Sequence, residues 1–154
     1  MTKLDIIIPV YNEDENILRL FKAIEDEVIC NFRILICYDS ESDKTLKYLK
    51  STNVINKEIL LIKNPNQGPN SAIIEGINSS KADIILIYMA DDFENVKLIN
   101  SMVNLIERGN ELVIPSRFIT GGKMLGAKKI KKMITIIGSY LIYYLARIPF
   151  RDCT

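Results

Sequence analysis

Carboxylate and amide side chains recur in this sequence just beyond its apolar runs. Pro9-Val10-Tyr11-Asn12-Glu13 closes the first run, and Asp39 in Tyr38-Asp39-Ser40-Glu41-Ser42-Asp43 closes the second. Asn66-Gln67-Gly68 follows the third, and Ala90-Asp91-Asp92 follows the fourth. If the runs are parallel strands, their C-terminal ends share one edge, where open α/β sheets bind ligands. Oxygen-bearing side chains from several strands then converge on one site. Such a set suits a divalent cation of the Mg²⁺ or Mn²⁺ kind, which takes oxygen ligands, keeps waters and binds phosphates. Asp91 and Asp92 strengthen that reading, because adjacent carboxylates repel unless a cation lies near them. Taken singly, the other residues have plainer readings. Asn12 and Asp43 suit helix caps, Asp39 suits a turn, and Gly68 suits a loop.

Several chemistries are disfavoured by the residues themselves. The 154 residues contain no histidine, which removes the usual general base and any histidine metal site. No G-x-x-x-x-G-K-[ST] segment is present, and no G-x-G-x-x-G follows the first apolar run, so a P-loop enzyme or a dinucleotide-binding dehydrogenase is not indicated. A net charge of +1 argues against a general nucleic-acid binder. Cys30, Cys37 and Cys153 have no metal-ligand spacing, and free thiols in a reducing compartment are expected. Met1-Thr2-Lys3 runs straight into the first apolar run without a leader pattern.

These residues need a scaffold, and the pattern supplies one. Leu4 to Val10 reads as a buried strand. Asn12 to Val28 reads as an amphipathic helix with Ile17, Leu18, Phe21, Ile24 and Val28 on one face, opened by an Asn12–Glu15 capping box. Strands follow at Arg33 to Tyr38, Ile59 to Lys63, Asp83 to Met89 and Leu112 to Pro115. The fourth is expected to be buried on both faces, since it is nearly all apolar. Helices are expected at Asp43 to Lys50, at Asn70 to Asn78 with Ile73, Ile74 and Ile77 inward, and at Val96 to Arg108 with Gly109 as its stop. Alternating strands and helices imply an α/β fold with a mostly parallel sheet flanked by helices. At this length one domain is expected.

The last third differs. Lys123, Lys128, Lys129, Lys131, Lys132, Arg147 and Arg151 crowd it, and Gly121-Gly122 reads as a loop. Between Lys132 and Arg147 the segment Met133 to Ala146 is apolar apart from Thr135, Gly138, Ser139 and three tyrosines. It is shorter than the ~20 apolar residues of a membrane span. Two readings stay open: a helix lying at a membrane interface, or a core helix packed on the sheet.

In this order and at these spacings, the segments resemble the family 2 glycosyltransferases, closest to the branch that glycosylates polyprenyl (dolichol-type) phosphates. The resemblance covers the whole chain. A P-x-Y-N-E segment is matched by Pro9, Tyr11, Asn12 and Glu13. A D-D-x-S-x-D-x-T turn is matched in part by Asp39, Asp43 and Thr45, with Tyr38 in place of its first aspartate. An N-x-G-x-x-x-A-x-x-x-G segment is matched by Asn66, Gly68, Ala72 and Gly76. The D-x-D metal signature stands as Ala90-Asp91-Asp92, without its first aspartate. Ser116-Arg117 and Gly121-Gly122 resemble the family's S-R segment and glycine loop. Arg151-Asp152-Cys153-Thr154 resembles the start of a D-x-T-x-G-F-[RK] segment.

The resemblance implies a nucleotide-sugar-binding, glycosyltransferase A-type (Rossmann-like) fold. It implies a single domain over 1–154, with a nucleotide-sugar part at 1–120, an acceptor- and membrane-facing part at 121–154, and further residues to complete the last motif. Pro9, Tyr11, Asn12, Glu13, Asp39, Gly68 and Lys131 are the implied substrate-binding residues. Asp92, Asp91 and Arg117 are the implied catalytic residues, and Asp92, Glu94 and Asp91 would hold Mg²⁺ or Mn²⁺. The implied partners are a GDP- or UDP-sugar, a polyprenyl phosphate and a membrane surface at its cytoplasmic face, with no nucleic acid. The implied reaction is inverting transfer of the sugar. Two alternatives accompany it. One is a catalytically dead nucleotide-sugar-binding or membrane-docking domain. The other is a nucleotidyltransferase, which would need a glycine- and basic-rich loop where Val10 to Glu13 stands.

Overall fold

The computed structural model describes residues 3–13, 16–52, 58–119, 122, 129–147 and 152, with Lys129 and Lys131 described in their backbone alone. The chain forms two compact units, Met1–Glu111 and Leu112–Thr154.

The first unit carries four parallel strands: β1 (Leu4–Val10), β2 (Phe32–Tyr38), β3 (Ile59–Lys63) and β4 (Ile84–Ile87), in the order β3-β2-β1-β4. Helices α1 (Asn16–Glu27), α2 (Lys44–Thr52) and α3 (Pro69–Ser79) fill the crossovers. A 3₁₀ turn (Val96–Leu98) leads into α4 (Ile99–Glu107). Gly109, at φ 96°, ends α4 as expected, its N–H bonding to the Ile106 carbonyl. The strand order reverses between β1 and β4, so the crevice of this sheet lies at their C-terminal ends.

The continuous apolar runs arise because β1 and β2 are covered on both faces. On one face Leu4, Ile6, Ile8, Ile34 and Ile36 pack with Ile17, Leu20 and Ile24 of α1, Leu46 and Leu49 of α2, and Ile99 and Val103 of α4. On the other, Ile7, Leu35 and Cys37 meet Ala72 of α3. Asp5 interrupts the run yet is fully buried. Arg33, its register partner on β2, forks onto it through Nε (2.9 Å) and Nη2 (2.7 Å). The Ser80 hydroxyl (2.7 Å) and the Lys81 N–H (3.1 Å) also donate to it. Burial pushes the Asp5 carboxyl up, but these donors outweigh burial and hold it below its ordinary value.

Three expectations are corrected. Helix α3 turns its small residues to the sheet: Ala72 and Gly76 are its buried positions, while Ile74 and Ile77 are exposed and Ile73 is half-buried. A Cβ on Gly76 would lie 2.6 Å from Ile7 Cγ2 and 2.8 Å from Cys37 Sγ. The helix backbone therefore lies too close to the sheet for isoleucines to fit between them. Among the described residues strand β4 is covered on one face only, because α3 packs on β1, β2 and β3. Ile85 and Ile87, in register with Asp5 and Ile7, are left exposed. Leu112 to Pro115 forms no strand, since no ladder partner for it occurs among the described residues.

In the second unit, the Arg117 N–H (2.8 Å) and Nε (3.1 Å) donate to Asp152 Oδ2, and Nη2 donates to Oδ1. The turn from Ser116 returns tightly at Gly122, where a Cβ would meet the Arg117 carbonyl at 2.7 Å. Helix α5 (Lys129–Ala146) buries Ser139 and exposes Ile130, Ile134, Ile137, Leu141 and Leu145 as a stripe at helical spacing. No described helix is long and apolar enough to cross a membrane.

Candidate functional site

The first loop at the sheet's C-terminal edge is held by the second. Asn12 adopts a left-handed conformation (φ 58°), which asparagine tolerates better than most residues. Its N–H points at both Asp43 oxygens (3.2 Å each). The Glu13 N–H donates to Thr45 Oγ1 at 2.9 Å. In return, the Asn12 side-chain oxygen accepts from the Lys44 N–H at 3.2 Å. Asp43 also accepts from the Thr45 N–H (2.8 Å), so it caps α2 as expected. Asn12 thus caps α2 rather than opening α1, and Glu15 of the expected capping box lies outside the described residues. This lock leaves Tyr11 at the crest of the loop, 76% exposed. Pro9 is half-buried on β1 opposite Cys37, and Glu13 is half-buried behind Tyr11.

Beyond β2, Tyr38 stands where the resembling motif has an aspartate. Its hydroxyl donates to Glu41 Oε1 at 2.9 Å, and Glu41 also faces Lys63 at 3.7 Å. Burial and then the Glu41 contact push the Tyr38 phenol up. Asp39 reaches across to the third loop. Its Oδ2 accepts from the Gly68 N–H (2.8 Å), and its Oδ1 accepts from the Asn64 amide (2.7 Å). Gly68, at φ 104°, opens α3 ahead of Pro69 at the first helical position. The structure therefore joins two predicted residues, Asp39 and Gly68, directly. It adds Asn64, which the motifs passed over. Its signal was a polar residue at the strand end before a proline, a turn pattern.

The fourth loop carries the adjacent carboxylates. Ala90 is buried, Asp91 is exposed and Asp92 is half-buried. The Asn95 amide donates to Asp92 Oδ1 (3.0 Å) and Oδ2 (2.8 Å), and the Asn95 N–H adds a 3.2 Å bond. Asn95 was not anticipated either. It donates to Asp92, while Asp91 and Glu94 are exposed. Arg19 of α1 stacks over the Phe93 ring at 4.4 Å and ties this loop to the first helix. Tyr88, just beyond β4, has a buried hydroxyl with no hydrogen-bond partner among the described residues. Burial, then the nearby Asp92 charge, raises its pKa.

Among the described residues no three carboxylate or thiol side chains group as a metal cage. The fit is of a different kind. Mg²⁺ and Mn²⁺ at phosphate sites take one or two protein carboxylates and complete their shell with phosphate oxygens and water. Asn95 places two bonds on Asp92 Oδ1 and one on Oδ2, so Oδ2 keeps an acceptor position for a ligand. In the second unit, Arg117 is committed to Asp152, and that pairing raises its pKa. Lys131 belongs to α5, with its side chain outside the described residues.

Two solved structures share this fold. Glucosyl-3-phosphoglycerate synthase from Mycobacterium tuberculosis, in complex with Mn²⁺, UDP and glucosyl-3-phosphoglycerate, aligns over 95% of this chain and 51% of its own, with a TM-score of 0.66 at 13% identity. S. aureus TarS 1-349 aligns over 75% of this chain and 39% of its own, with a TM-score of 0.58 at 16% identity. At that identity the likeness shows the fold, the glycosyltransferase A-type. Sequence relatives go further. The dolichol-phosphate mannosyltransferase of Pyrococcus furiosus is 26% identical over 97% of this chain and 43% of its own length. The undecaprenyl-phosphate 4-deoxy-4-formamido-L-arabinose transferase of Proteus mirabilis is 30% identical over 73% of this chain and 36% of its own. The chain thus spans less than half the length of these two relatives. A family model, glycosyl transferase family 2, matches residues 5–153, and the chain belongs to that family.

Proposed function

We propose that this chain carries the donor site and acceptor-facing residues of an inverting glycosyltransferase, which moves a sugar from a nucleoside-diphosphate sugar to a polyprenyl phosphate. The observation that carries the reading is topological. Asp39, the Pro9–Glu13 loop and Asp91–Asp92 follow β2, β1 and β4, three adjacent parallel strands that flank the switch point. On this reading Pro9, Tyr11, Glu13 and Asp39 hold the base and ribose of a GDP- or UDP-sugar. Gly68 and Asn12 shape the walls through their backbone bonds. Asp92, with Asp91 and Glu94, would hold Mg²⁺ or Mn²⁺. When bound, such an ion offsets the charge that develops on the leaving diphosphate.

In the transfer itself the acceptor oxygen attacks the anomeric carbon from the face opposite the diphosphate. The new C–O bond forms as the bond to the diphosphate oxygen breaks, and configuration inverts. A phosphate acceptor needs no general base, since its second ionisation lies near pH ~6. A chain without histidine is compatible with that acceptor. Arg117 and Lys131 are proposed for the acceptor side, with Asp152 fixing the Arg117 fork. The exposed apolar stripe of α5, bracketed by Lys129, Lys132 and Arg147, is proposed to lie at the cytoplasmic membrane surface where such lipids are met. Residues 1–120 and 121–154 are accordingly proposed as donor and acceptor parts, a division near the Glu111/Leu112 boundary between the compact units.

The test is sugar transfer from a panel of radiolabelled UDP- and GDP-sugars to a polyprenyl phosphate with Mn²⁺, run alongside calorimetric nucleotide binding. Metal-dependent transfer supports the reading. Binding without transfer favours the catalytically dead alternative, which the buried Ala90 in the metal signature also favours. Absence of binding to either nucleotide overturns it.

A further inference from the structure

Asn64 is the most tightly bonded polar side chain at the sheet's C-terminal edge, and no motif points to it. It follows Lys63, the last residue of β3, and is only 2% exposed. Its N–H donates to the Tyr38 carbonyl at 2.8 Å, continuing the β2–β3 ladder by one residue. Its amide nitrogen donates to Asp39 Oδ1 at 2.7 Å and to the Gly68 carbonyl at 3.4 Å. Its amide oxygen accepts from the Ser71 hydroxyl at 2.9 Å and from the Asn66 N–H at 3.2 Å. Two donors and two acceptor positions are the full capacity of an asparagine amide, and all are used. This fixes the amide's orientation, because a flipped amide would set its oxygen against two acceptors, the Asp39 carboxylate and the Gly68 carbonyl, and its nitrogen against the Asn66 N–H.

We propose that Asn64 is the positioning residue for the Asp39 carboxylate and thereby sets base recognition by this chain. The proposal rests on the nucleotide reading above. One neutral donor stands on each Asp39 oxygen, Asn64 on Oδ1 and the Gly68 N–H on Oδ2. The carboxylate plane is therefore set, while each oxygen keeps an acceptor position for an N–H of the base. A carboxylate held this way loses little side-chain freedom when a ligand docks, which favours binding. An uncharged partner matters as much as the geometry. A lysine there would neutralise Asp39, and a second carboxylate would repel it. Asn64 aims the charge without cancelling it.

The experiment is a double-mutant cycle on UDP and GDP affinity by calorimetry, with pyrophosphate as the base-free control. Asn64→Ala should weaken binding of the preferred nucleotide about tenfold and leave pyrophosphate unchanged. On an Asp39→Ala background the same substitution should cost nothing further, because Asn64 acts through Asp39. Losses that simply multiply overturn the proposal, as does an equal loss for pyrophosphate.

Asn64→Asp keeps the shape and gives a second readout should Asn64→Ala not fold. Two carboxylates at hydrogen-bond distance share a proton, and the pair titrates as a unit. At pH 5 the shared proton restores a donor toward Asp39. By pH 8 its loss sets like charges together. The ratio of variant to wild-type affinity should therefore fall about tenfold from pH 5 to pH 8. A ratio that stays flat means a merely structural asparagine and overturns the proposal. If the wild-type chain binds neither UDP nor GDP, the nucleotide reading falls and this inference falls with it. If the wild type binds and the variants bind as well, only the inference falls.

Discussion

Asp92 and Asp5 show how differently two aspartates of one domain are used. Asp92 is half-buried and held by the neutral Asn95, so its charge is oriented without being cancelled by that partner. Asp92→Asn should abolish the enhancement of nucleotide binding by Mn²⁺ while leaving the unfolding midpoint nearly unchanged, measured by calorimetry and thermal melts. Asp5 is buried against Arg33 at the opposite end of the strands and does structural work. Asp5→Asn breaks a buried pair and leaves Arg33 uncompensated, a change that costs about 3 kcal/mol. Because the folded Asp5 pKa lies below its unfolded value, its contribution is fully present above the unfolded pKa near ~4. It is lost as pH falls through the folded value. As pH falls below about 4, the urea stability of the wild type should weaken more steeply than that of Asp5→Asn.

Among the elements, α3 and α5 invert the usual rule that a helix buries its large apolar residues. In α3 the small positions Ala72 and Gly76 face the sheet. Alanine improves helix propensity over glycine by about 1 kcal/mol. Overpacking a filled core costs about 1–3 kcal/mol. The distances to Ile7 and Cys37 make the second effect win at Gly76. Gly76→Ala should therefore lower the urea midpoint without changing the slope. In α5 the exposed stripe should bind anionic liposomes at low salt and release them at high salt, as read by flotation. No flotation at low salt would remove the membrane proposal. The strands and helices around Leu4–Val10, Ile59–Lys63 and Lys129–Ala146 were legible because periodicity and composition are local signals. Which face of α3 points inward was not. Isoleucine spacing predicts burial, but the helix–sheet distance that excludes isoleucine is a tertiary fact. The candidate site was legible as strand ends and motifs. The neutral amides that aim its carboxylates, Asn64 and Asn95, were not, because isolated asparagines beside turns are common.

For the whole molecule, the four-stranded sheet has β1 and β2 inside and β3 and β4 at its edges. Among the described residues, the hydrogen bonds of β4 run one way only. The Ile84 and Tyr88 amides donate inward to Lys3 and Ile7, at 3.0 and 2.9 Å. Backbone groups alternate in direction along a strand, so the Ile85 and Ile87 amides face away from β1. Their side chains are exposed as well. Isotope labelling should read this geometry as a two-beat rhythm along five residues. In deuterated water the Ile84 and Tyr88 amide protons should persist until the domain opens globally, while those of Ile85 and Ile87 vanish orders of magnitude sooner. Slow decay at all four positions would show that the outer edge of β4 is covered in solution.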